Sequence, residues 1–249
     1  MTSAKPALII AAALAFLCQR EILAAPASVK APAAKTAAKA KGKPDIALSA
    51  QGKSAFFGPF SMQIGNGLRI RAKFGFTVWS SDKPNDVYML NAENKTYIRE
   101  TAFEWLDWNR RGCPNIDVSE VQLVDKVNVH GQPCLHYAAY QMIRNRKVKC
   151  AEFYSMEKGP RDPVLIDFWC KHFLLPSKYG FPLLVKQRVG EAMQTIMDIE
   201  VKPMPLANVS LSVPKDYKRT TDKAAFYFSD GSGSINKSDL EEFFQQPLK

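Results

Sequence analysis

Histidine is scarce in this chain of 249 residues: only His130, His136 and His172 are present. No P-loop, no nucleophile elbow and no dinucleotide fingerprint occurs, and Gly65-Asn66-Gly67 has the chemistry of a turn. No two cysteines form a C-x-x-C pair. The last four, Cys113, Cys134, Cys150 and Cys170, stand 21, 16 and 20 residues apart, which matches no zinc motif. These absences leave few ways to build a catalytic centre, so the expectation is a non-enzymatic protein without a cofactor or metal. The sequence also lacks an apolar run of the ~20 residues that a membrane-spanning helix needs.

The longest apolar stretch, from Ala7 to Cys18 behind Lys5, has the length of a signal-peptide core. Ala25-Pro26-Ala27 offers small residues for cleavage before Ser28, so residues 1–27 read as a signal peptide, with an uncleaved anchor as the alternative. Leu17 in front of Cys18 argues against a lipidated cysteine. Residues 28–53 are dominated by Ala, Lys and Pro and read as a disordered tether. The expected location is periplasmic or secreted. The net charge is +10, but six Lys against Asp45 in residues 26–53, with one further positive charge before them, leave only +4 for residues 54–249. A nucleic-acid-binding face is therefore not expected. Contact of the basic tether with a membrane surface or cell wall is compatible with its charge.

Residues 54–219 carry the folding pattern. Leu68, Ile70, Ala72, Phe74, Phe76 and Val78 alternate with Arg69, Arg71, Lys73, Gly75 and Thr77, which predicts one long strand with a dry and a wet side. Residues 86–91 and 96–100 predict a hairpin. Thr101 with Glu104 predicts a capping box and a helix over 101–111. Strands are predicted at 118–129, 134–143, 147–156 and 164–172, then at 183–189, 193–201 and 209–214, with turn-rich connections between them. The fold class is mainly β, a curved antiparallel sheet with one or a few helices.

An even number of cysteines behind a signal peptide points to disulfides, with reduced thiols or a metal site as alternatives. A hairpin turning near Pro160-Arg161 would set Cys150 opposite Cys170, leaving Cys113 to pair with Cys134. The turn residues Arg144, Arg146, Lys147 and Lys149 form a basic hairpin tip. Asp230 to Asp239 resembles a calcium loop, but Phe228 falls on its first ligand position and Asp239 replaces the closing Glu. Residues 220–249 read as a helical extension.

The order of elements, with Tyr88-Met89-Leu90-Asn91, Lys95-Thr96-Tyr97, Gly180-Phe181-Pro182-Leu183 and Val213-Pro214-Lys215-Asp216-Tyr217, resembles the periplasmic lipoprotein-carrier (LolA/LolB-like) superfamily. The resemblance implies a β half-barrel with helices on its concave side and a lipid or lipoprotein acyl chain as ligand. Phe74, Phe76, Tyr154, Ile166, Phe168 and Met197 are the large apolar residues such a ligand would meet. The alternative is a structural or sensory domain with a closed core that recognises another envelope protein.

Overall fold

The computed structural model describes residues 47–72, 75–110, 115–223 and 226. The signal-peptide segment, most of the tether, Phe74, Cys113 and the calcium-like loop lie outside them. In chain order the strands are β1 (Leu48–Ser54), β2 (Gly58–Ile64), β3 (Gly67–Ala72), β4 (Gly75–Ser80), β5 (Asp86–Asn91) and β6 (Thr96–Thr101), followed by helix α1 (Ala102–Arg110). Then come β7 (Glu120–Val129), β8 (Gln132–Ile143), β9 (Arg146–Met156), helix α2 (Pro163–His172), β10 (Pro182–Val189), β11 (Ala192–Pro203) and the short β12 (Lys218–Arg219). Together the strands make one curved sheet in the order β12-β6-β5-β4-β3-β2-β1-β11-β10-β9-β8-β7. Every pairing is antiparallel except that of β12 with β6. Among the described residues no helix is long and apolar enough to cross a membrane.

The middle of the sheet is β1, which the composition of 28–53 had assigned to the tether. Leu48 and Ala50 are buried, and β1 pairs with β2 on one side and β11 on the other. Gly52 permits that close fit, since a Cβ there would lie 2.1 Å from the Asp198 carbonyl oxygen. The β1–β2 connection is closed by Ser54, whose hydroxyl accepts the N–H groups of Phe56 and Phe57 at 3.0 and 3.3 Å.

The strand predicted over 68–78 is two strands. β3 and β4 pair antiparallel from Gly67↔Ser80 to Ala72↔Gly75. The reversal shifts the inward parity, so Trp79 joins Leu68 and Ile70 in the core cluster while Phe76 does not. The predicted β5–β6 hairpin and α1 are present. Thr101 Oγ1 accepts the Glu104 N–H at 3.1 Å, and Glu104 Oε2 accepts the Thr101 N–H at 2.9 Å, so the capping box is reciprocal.

Residues 164–172 are the main correction. They form a helix, not a strand. Asp162 caps it by accepting the Val164 N–H at 2.9 Å, and Pro163 occupies its first turn. Leu165, Phe168, Trp169, His172 and Phe173 then fall on one buried stripe at helical spacing. The helix ends with the Leu175 N–H on the Cys170 carbonyl and Leu174 in the left-handed region at φ 56. Residues 209–214 are not an edge strand either. This segment crosses the face opposite the helices, with Ser210 bonded to Arg69 and Gln63. The chain then adds β12 beside β6.

Candidate functional site

The concave face of the half-barrel is where the resemblance places a ligand, and α2 lies in it. Phe168 stacks on Trp79 from β4 with ring centroids 4.2 Å apart and planes within 7°. Its other neighbour is Trp105 from α1, at 5.4 Å. Trp169 stacks on Phe181 at 5.6 Å and donates its indole N–H to the Pro182 carbonyl. Each large apolar side chain buried this way contributes roughly 1.5–3 kcal/mol. Helix α2 thus packs its aromatic stripe onto this part of the face.

At the centre of this array sits His172, 1% exposed. Its ring contacts Phe56 at 4.4 Å, Phe57 at 5.2 Å, Phe173 at 4.9 Å and Trp105 at 5.4 Å. Neither ring nitrogen has a hydrogen-bond partner among the described residues. Burial, with a smaller contribution from the Arg110 charge, pushes its pKa down to about 3. His172 is therefore neutral at physiological pH, an uncharged polar ring held in an apolar cage.

The five described residues of the six expected to line a ligand cavity do not all share one face. Phe168 and Met197 are buried in the core, and Ile166 is half-buried on α2. Tyr154 pairs with His136, stacking on it at 4.3 Å, while its neighbour Phe153 points to the core. Phe76 lies under Arg69 and Arg71, whose guanidinium carbons are 4.6 and 5.5 Å from its ring centroid. Phe74 is outside the described residues.

A second depression, an open cleft of about 590 Å³, lies over β1 and β11 and is walled by Gln51, Lys53, His130, Thr195, Asp198 and Glu200. His130 Nε2 is 2.6 Å from Asp198 Oδ1. The lining mixes these polar and charged side chains with Ala55 and Ile196, so it is not the purely apolar cavity the resemblance implied. Among the described residues no three His, Cys, Asp or Glu side chains are grouped to hold a metal ion.

Cys134, Cys150 and Cys170 are free, buried thiols. The Cys150–Cys170 bridge is overturned because Cys170 belongs to α2, not to a strand beside β9; its thiol donates to the Gly180 carbonyl. Cys113 lies outside the described residues. Burial raises all three thiol pKa values, to about 11 at Cys134 and about 12 at Cys170. Iodoacetamide applied to the native protein is therefore expected to leave these three unmodified, and alkylation in urea followed by peptide mapping to label all of them. Rapid native labelling of Cys170 would contradict the burial described.

In sequence His172 stands near Cys170, where a metal or Cys–His site can be imagined but a structural role is favoured; the caged position seen here is not evident from that spacing. The signals that could have found it were Asp162-Pro163, a helix start, and the helical spacing of Leu165, Phe168, Trp169 and His172.

No family model matches the chain, and no curated protein matches it. Among solved structures, LprF from Mycobacterium bovis is similar at 6% identity and a TM-score of 0.31, over 71% of this chain and 90% of LprF.

Proposed function

We propose that this protein is a non-enzymatic interaction module of the cell envelope that recognises its partner through outer surfaces and edges, its concave face being closed. The observation that carries this reading is the stacking of Phe168 between Trp79 and Trp105, which occupies the space an acyl chain would need. The export-like segment in residues 1–27 supports the envelope location.

One observation favours a second reading, in which an apolar ligand displaces α2 and enters the half-barrel. His172 leaves two nitrogens unsatisfied in the packed face, a cost of about 1–3 kcal/mol for an unpaired polar group. A helix carrying that cost is easier to displace than one with an all-apolar stripe. Native mass spectrometry of the purified protein separates the two readings. The closed module is expected to appear at the mass of the chain alone. A stoichiometric lipid retained through purification would instead establish the ligand-holding form.

A further inference from the structure

The β8–β9 hairpin tip combines three unusual features. Met142 and Ile143 are 57% and 45% exposed, so consecutive strand positions set one large apolar side chain on each face of the hairpin end in water. Arg144 and Asn145 form a two-residue turn with φ of 47° and 61°, closed by the Ile143↔Arg146 pair. Both positions require the left-handed region, which is the usual place for Asn-Gly; an arginine at the apex is held there against its backbone preference. Finally, Lys147 is paired with Glu120 and Lys149 with Glu152, while Arg144 and Arg146 have no ion pair among the described residues. The tip thus presents two unneutralised guanidinium groups directly beside two exposed apolar side chains. Val189, also exposed, lies on β10 at the same end of the sheet.

We propose that this hairpin tip is a membrane-contact element, with Met142 and Ile143 entering the boundary between headgroups and acyl chains of an anionic bilayer while Arg144 and Arg146 bind lipid phosphates. The chemistry on each side is complementary. Guanidinium forks match phosphate oxygens, and apolar side chains gain burial only if the surface behind the phosphates is hydrocarbon. A polyanion without such an interior would use the arginines and leave Met142 and Ile143 in water. The inference rests on the proposed function only in placing the protein beside a bilayer. Native mass spectrometry tests what fills the concave face, and its result does not alter what vesicles report about the tip.

The test is co-sedimentation of the full chain with phosphatidylcholine vesicles, with and without about one-third phosphatidylglycerol. The first variant combines Arg144→Asn, Asn145→Gly and Arg146→Gln. It removes two cations but installs the preferred turn, so its thermal midpoint should equal or exceed that of the wild type. Its partition onto the anionic vesicles should fall about 25-fold, the product of about fivefold for each cation. The second variant, Met142→Ser with Ile143→Ser, should lose at least about tenfold. Every other basic or apolar segment is the same in all three proteins, so the differences isolate the tip. Loss in both variants supports the proposal. Loss in the arginine variant alone would show a purely ionic contact and overturn insertion, and no loss in either variant would overturn the membrane contact itself.

Discussion

Acidification to pH 4.5 is expected to cost the native protein roughly 2–3 kcal/mol of stability through His172 alone. The unfolded chain carries a histidine with the ordinary pKa of 6.5, whereas in the folded protein the pKa is pushed down to about 3. Between those values the unfolded state binds a proton that the folded state refuses. Stability from this group is therefore complete above about pH 6.5 and falls progressively toward pH 3. The cause is geometric: Phe56, Phe57, Trp105, Trp169 and Phe173 enclose the ring, no acceptor reaches either nitrogen, and the nearby Arg110 opposes a second positive charge. Urea unfolding at a series of pH values measures the effect. His172→Phe and His172→Leu should lose this share of the pH dependence and keep only what carboxylates held below their ordinary range, such as Glu152 and Glu200, lose near pH 4.5. At neutral pH either variant should be close to the wild type or more stable, because an apolar side chain leaves no polar atom unpaired. If both variants lose stability with acid as steeply as the wild type, His172 is not the titrating group and the dry cage is wrongly described.

The same residue shows where sequence patterning is informative and where it is not. The β5–β6 hairpin, α1 and the three long strands β7 to β9 are legible because one periodicity dominates each segment and a turn or cap bounds it. Thr101 and Glu104 form a capping box whose two hydrogen bonds are both present. In 163–172 seven of the ten residues are apolar, so a period of two and a helical period both find matches. Val164, Ile166, Phe168 and Cys170 imitate a strand face, and a Cys150–Cys170 bridge is possible only on that strand. β1 was missed for the opposite reason. Its sequence, Leu48–Ser54, holds small and polar residues because it runs pressed between β2 and β11, where Gly52 has no room for a Cβ. The composition of a tightly packed central strand resembled that of a tether. The concave location of the helices agrees with the fold class, but the filling of that face depends on Phe168 meeting Trp79 and Trp105. Those three residues are distant in sequence and meet only in the folded sheet.

That filling yields the other large effect. Phe168→Ala should destabilise the protein by about 3–5 kcal/mol, the range for removing a packed aromatic ring from a core that relaxes only partly. Phe168 loses its stacking on Trp79 at 4.2 Å and on Trp105 at 5.4 Å together. Phe76→Ala is the informative comparison, because the family resemblance implies both phenylalanines in one ligand lining. Phe76 is half-buried on the other face under Arg69 and Arg71, so its loss should cost about 1 kcal/mol, most of it from exposed packing and cation–π contact. Urea midpoints of the two variants give the ratio directly. A fluorescent apolar probe adds the functional half of the experiment. If the face is closed, the wild type should give no saturable binding, whereas Phe168→Ala should gain a site where the ring stood, since an apolar cavity in a rigid core accepts an apolar guest. Equal costs for the two substitutions, or stoichiometric probe binding by the wild type that Phe168→Ala leaves unchanged, would show that the apolar interior is open and that α2 does not plug it.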